Sequence, residues 1–278
     1  MKAELGKRAD LADIVSMDLA ARLDGILFYG DPHGQWEPLL DALDTSVRSI
    51  IILGDLAEAK HHPHQVDEAR RVLEELSARG IDWHTISGNH DSDTAEICDL
   101  VYRDLGDRLL DGRVVHVGKP SVAIAGLGGV VSGRIWDGVN KAAADSPEAL
   151  LAITPRQEHH RGGLPFKKRR TIFPSTVREL SGQKADVLIS HEAPSCHPHG
   201  FAFINELAEA MGARLIVHGH HHVAYEEQLE NGVLVRGLGL AEVWRPQTGL
   251  SDVQRTILRA GLVSLDENED AYRALKSR

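Results

Sequence analysis

The stretch "IVHGHHHVAY", Ile216 to Tyr225, sets four histidines within five positions directly after an apolar run. A terminal purification tag is excluded, because the run ends at His222 in a chain of 278 residues. A solvated loop is the plain reading, and 16 histidines make some clustering expected. On an extended backbone, side chains two apart point the same way, so His218, His220 and His222 share a side while His221 faces the other. Convergent imidazoles of that kind are what a transition metal asks for. Loop and metal site are distinguished by whether other segments supply the remaining ligands.

Working outward, short apolar runs recur at 26–30 ("ILFYG"), 47–53, 81–87, 121–127, 186–190, 214–218 and 233–238. Their β-branched content and length predict buried strands. Between several of them lie stretches of helical spacing. In "HPHQVDEARRVLEELSARG", Val66, Ala69, Val72, Leu73 and Leu76 fall on one stripe and Gly80 supplies a stop. Others are "EPLLDALDT", "DTAEICDLVYRDLGDR" and "GFAFINELAEAMGA". Alternation of strand and helix predicts an α/β protein whose first strands are mostly parallel. The stretch from about 136 to 176 breaks the rhythm. Rich in charge, Gly and Pro, it reads as an insertion near the site, with a short helix over 146–153, inside one domain spanning 1–278. Residues 1–24 read as an N-terminal helical extension.

In open α/β sheets ligands gather at the carboxyl ends of the strands. Here "ILFYG" is followed by Asp31 and His33, "SIIIL" by Asp55, "WHTIS" by Asn89 and His90, "DVLIS" by His191, and "RLIVH" by His220 and His222. Each fragment alone is weak, since Gly-Asp is a common turn and a strand-end histidine is usually just hydrogen-bonded. Five in order, each at a strand end, carry far more. The set Asp31-Pro32-His33, Gly54-Asp55, Gly88-Asn89-His90-Asp91, His191 and Gly219-His220-His221-His222 resembles the calcineurin-like metallophosphoesterase family.

The resemblance implies a four-layer αββα sandwich, two mixed sheets flanked by helices, with a binuclear metal centre at the strand ends. It implies one divalent ion held by Asp31, His33, Asp55 and His222. A second would be held by Asp55, Asn89, His191 and His220, with Asp55 bridging. Mixed Asn, Asp and His ligation suits Mn, Fe, Zn, Co or Ni, with manganese favoured. The implied activity is that of a phosphatase or phosphodiesterase on small or nucleotide-like phosphate esters. A hydroxide shared by the two ions attacks phosphorus, His90 acts as the acid on the leaving group, and Asp91 orients His90. Many members continue the second motif as G-D-x-x-D, whereas this chain has Glu58 at that place, read as a supporting position. A nuclease of the same fold and an inert interaction scaffold are the alternatives. Intact Asp31, Asn89, His90 and both distal histidines weigh against the scaffold.

Composition bounds the partners. A net charge of −10 argues against general nucleic-acid binding. Against that background, "RQEHHRGGLPFKKRR" carries a local +5, which makes Arg156, Arg161, Lys167, Lys168, Arg169 and Arg170 candidate contacts for a polyanionic substrate. Cys98 and Cys196 form no CxxC pattern and read as small apolar residues. The charged first residues hold no signal-peptide core, and no run approaches the roughly 20 apolar residues of a membrane span. A cytoplasmic location is the expectation.

Overall fold

A computed structural model of the chain describes residues 18–246 except 134 and 137–143. The chain divides into two compact units, 1–21 with 247–278, and 22–246, and the second carries the strands and the candidate site. The expected N-terminal extension and C-terminal tail lie, up to residue 17 and from 247, outside the described residues.

All seven apolar runs form strands. In chain order the elements are β1 (Ile26–Tyr29), α1 (Glu37–Asp41), β2 (Ser49–Ile52), α2 (His64–Ala78), β3 (Asp82–Thr85) and α3 (Ala95–Asp99). There follow β4 (Arg113–Val117), β5 (Val122–Leu127), α4 (Pro147–Ile153), α5 (Phe166–Arg169), α6 (Pro174–Ser181) and β6 (Val187–Ser190). The last are α7 (Ala202–Met211), β7 (Leu215–His218), β8 (Tyr225–Gln228), β9 (Leu234–Gly237) and β10 (Val243–Trp244). They build two mixed sheets, one ordered β10-β1-β2-β3 and the other β4-β5-β6-β7-β9-β8. Within them β1-β2-β3 and β5-β6-β7-β9 are parallel. Each outer pairing with β10, β4 or β8 is antiparallel.

The parallel strands are apolar because both of their faces are covered. Leu27, Tyr29, Ile50 and Ile52 point into a core shared with the stripe Val66, Ala69, Val72, Leu73 and Leu76 of α2. The alternate residues Phe28 and Ile51 face the other way and are just as inaccessible. Each such side chain contributes about 1.5–3 kcal/mol on burial. The shared core fixes β1 and β2 in register, and the register sets where Asp31 and Asp55 emerge. The insertion carries the expected short helix as α4, where Ser146 Oγ accepts the Ala149 amide as an N-cap. It builds a small core of its own from Ile135, Ala144, Leu164 and Phe173.

Candidate metal centre

Five strands deliver the expected residues to one place. β1, β2 and β3 of the first sheet end just before Asp31, Asp55 and Asn89, while β6 and β7 of the second end just before His191 and Gly219-His220. Among the described residues four groups of possible ligand atoms lie within 4.8 Å of one another: Asp31 with His33 and His222, Asp55 with His191 and His220, and two overlapping groups, His33 with Glu58 and His90 and Glu192 with His220 and His221. The first two contain the buried carboxylates Asp31 and Asp55 and are the two clusters of the candidate centre. Asp55 joins the two clusters. Its Oδ2 is 3.5 Å from His33 Nε2 and 3.3 Å from His191 Nε2. Its Oδ1 accepts the His90 amide at 2.6 Å. Asn89 completes the second cluster, its side-chain oxygen 3.0 Å from His191 Nε2.

The backbone is strained where the candidate ligands sit. Asp31, His33, Asp55, His220 and His222 have φ of 26°, 45°, 51°, 69° and 56°, in the left-handed region that side-chain-bearing residues rarely enter. Each such conformation costs on the order of 1–3 kcal/mol and persists only where the surroundings impose it. Strand ends turn back here within one or two residues, and this aims carboxylate and imidazole inward. Glycines make room for the two carboxylates. A Cβ on Gly219 would stand 2.1 Å from Asp31 Oδ1, and one on Gly88 would stand 2.2 Å from Asp55 Oδ1. Gly219→Ala is therefore expected to displace Asp31 and weaken metal affinity about tenfold to a hundredfold, the scale seen when ligand support is lost. Titration with a divalent metal, alongside an unchanged far-ultraviolet circular dichroism spectrum, checks this.

The donor set fits cations. Asp31 is fully buried, yet its Oδ1 has no hydrogen-bond partner, an arrangement that leaves desolvation uncompensated unless positive charge arrives. His222 Nε2 and His33 Nε2 face one another at 3.2 Å. In the protein alone one ring donates to the other across this contact, and a cation placed there would take both lone pairs instead. Electrostatics agree. Burial pulls the His191 imidazole down, but Asp55 and Asp31 outweigh it and hold it protonated, raised to about 10. Burial also pushes the Asp55 carboxyl up, and His191, His33 and His90 more than reverse this, leaving it below the usual carboxylate range. The buried carboxylates thus demand positive charge, which protons supply in the protein alone and divalent ions would supply instead. Burial, then His191, lowers His220 to about 4, so its lone pair is free at neutral pH.

Outer partners orient the first two of these rings, and a carboxylate lies near the third. His33 Nδ1 bonds Glu58 Oε1, His191 Nδ1 lies 2.9 Å from the Leu53 carbonyl, and His220 Nε2 lies 3.9 Å from Glu192 Oε2. Glu58 thus lies behind a ligand of the first cluster, as its place in the motif suggests, and Glu192 escaped sequence reading although it adjoins His191. Asp111 escaped as well. Its carboxylate accepts the Ser87 amide at 2.9 Å and the Ser87 hydroxyl at 2.5 Å, steadying the turn into Gly88-Asn89.

One expectation is corrected by the geometry. Asp91 does not touch the His90 ring. Neighbouring side chains diverge, and Asp91 turns inward to accept the amides of Asp55, Leu56 and Gly88 at 2.8, 2.9 and 2.8 Å. The carboxylate at His90 Nδ1 is that of Asp93, at 2.9 Å. Several side chains of the basic run take partners within the protein. Arg161 pairs with Asp99, Lys168 lies 3.9 Å from Glu158, and Arg169 donates to the carbonyls of Leu164 and His160. Arg170 does reach the site, donating to the Asn89 carbonyl. Lys167 sits on α5 beside them. His61, His62 and His64 are exposed, and His218 bonds Tyr225 Oη through Nε2 at 2.7 Å. Among the described residues no helix is long and apolar enough to cross a membrane.

Two mixed sheets with carboxylates and imidazoles converging from five strand ends define an α/β protein built around a candidate metal centre. The pattern of calcineurin-like phosphoesterases matches residues 25–224, so the chain belongs to that family and its reaction class is metal-dependent phosphoester hydrolysis. An uncharacterized protein of Haemophilus influenzae is 41% identical over 199 residues, covering 71% of this chain and 83% of its own. The crystal structure of TT1561 of Thermus thermophilus is similar in fold, with a TM-score of 0.50 at 15% identity, over 80% of this chain and 98% of that one.

Proposed function

We propose that the protein hydrolyses small or nucleotide-like phosphate esters, as a phosphatase or phosphodiesterase, at a binuclear centre. One ion is held by Asp31, His33, Asp55 and His222, the other by Asp55, Asn89, His191 and His220. The observation that carries this reading is the position of Asp55 Oδ2, within 3.5 Å of a ring nitrogen from each cluster. Manganese is the favoured metal, and a cytoplasmic location remains the expectation. Bound there, two divalent ions lower the pKa of water toward 7 and attract an anionic phosphoryl group.

The chain's own residues supply the rest. Asp31 and Asp55 follow neighbouring parallel strands, so the β1-β2 pairing sets one carboxylate beside the other. Asp91 binds three loop amides and so keeps the Asp55 and Asn89 turns in register. His90, a third exposed, sits beside His33 with ring centroids 5.1 Å apart. From there it protonates the leaving oxygen as a general acid.

The test is a hydrolysis panel on chelator-stripped protein: nitrophenyl phosphate, its bis ester, cyclic nucleotides and dinucleoside polyphosphates, each with added Mn, Fe, Co, Ni or Zn. Hydrolysis restored by a divalent metal, saturating near two ions per chain, is the expected result. Saturation at one ion, or no hydrolysis with any metal, overturns the reading.

A further inference from the structure

His90 is held by a carboxylate outside the family motifs. Its Nδ1 lies 2.9 Å from Asp93 Oδ2, whereas Glu58 Oε2 is at 3.8 Å and the other Glu58 oxygen already bonds His33. Asp93 is met in turn by Arg170 of the inserted segment. Arg170 Nη1 lies 3.5 Å from Asp93 Oδ1 and donates to the Asn89 carbonyl. Side-chain exposure is 16% for Asp93 and 30% for Arg170, so solvent screens this pair less than it would a surface ion pair.

We propose that Arg170 and Asp93 are positioning residues for His90. Arg170 pins Asp93, and Asp93 holds the Nδ1 proton, so that Nε2 is the nitrogen that delivers a proton to the leaving oxygen. The inference rests on the hydrolase reading above, with His90 as its acid. As the phosphorus–oxygen bond to the leaving group breaks, its electron pair goes to that oxygen, the Nε2–H bond breaks, and an O–H bond forms. His90 is left neutral, its Nδ1–H still on Asp93, and takes a new Nε2 proton from water. A ring without the Asp93 anchor is free to rotate and present the wrong edge. The same guanidinium holds the carbonyl of Asn89, whose side-chain oxygen lies 3.0 Å from His191 Nε2. The insertion thus sets acid and ligand together, and Arg170 braces the site instead of gripping substrate.

The test compares phenyl esters, whose leaving oxygen needs a proton, with dinitrophenyl esters, whose leaving oxygen does not, using the full chain loaded with Mn. Asp93→Asn is expected to lower kcat for the phenyl ester about tenfold to a hundredfold, to change the dinitrophenyl ester by less than about threefold, and to keep its metal. Asp93→Glu should recover part of the lost ratio, which a folding defect would not allow. Arg170→Met should show the same bias in kcat with KM unchanged. An unchanged ratio of the two esters in Asp93→Asn overturns the inference, as does Arg170→Met raising KM for both esters alike. Wild-type protein that cleaves neither ester would instead remove the hydrolase reading, and the inference with it.

Discussion

Asp55→Ala is expected to release metal from both clusters and to lower turnover at least about a thousandfold, since metal ions supply several kcal/mol of transition-state stabilisation and each ~1.4 kcal/mol is tenfold. The reason is positional. Asp55 Oδ2 lies between His33 and His191, and its Oδ1 holds the amide of His90. Removing it takes a ligand from each ion, unpairs a buried His191 and loosens the acid in one change. Metal content by mass spectrometry of the purified variant decides the matter. Two ions per chain retained at full occupancy would show that the clusters do not share this carboxylate.

His90→Ala should behave in the opposite way. The His90 ring bonds Asp93 and lies outside the Asp31 and Asp55 clusters, though it shares a group of possible ligand atoms with His33 and Glu58, so both ions are expected to stay. Loss of a general acid typically costs 10²–10⁴-fold, and the cost here should fall with the basicity of the leaving oxygen, to within about tenfold for a nitrophenyl ester. Metal content and a leaving-group series measured together separate the outcomes. Metal loss in this variant would place His90 among the ligands, and an equal penalty for every ester would remove its role as acid. The contrast with Asp55→Ala is informative because the two residues touch, through the His90 amide, yet should fail by different routes.

The strands that the chain's apolar runs revealed are those covered on both faces. Leu27, Ile50, Ile51, Leu188 and Ile216 are wholly inaccessible, and a strand in that setting can hold little but apolar residues. The antiparallel outer strands β8 and β10 left no such trace. Tyr225–Gln228 reads "YEEQ", because an edge strand meets water and carries polar side chains there. The irregular stretch after α3, where Leu100–Asp104 winds as a π-helix, was likewise hidden inside a helical spacing.

For the site, the divide falls between identity and arrangement. Seven ligand candidates were legible in the sequence because metal chemistry admits few residue types and the parallel sheet places them at strand ends, in chain order. Only the folded chain could show that Asp93, not Asp91, backs His90, that Arg170 alone of its basic neighbours braces Asn89, and that Glu192 stands behind His220. Those partners lie on loops and an insertion, where no period of 2.0 or 3.6 governs direction. Which way such a side chain points depends on contacts between segments distant in sequence, such as the 81 residues separating Arg170 from Asn89.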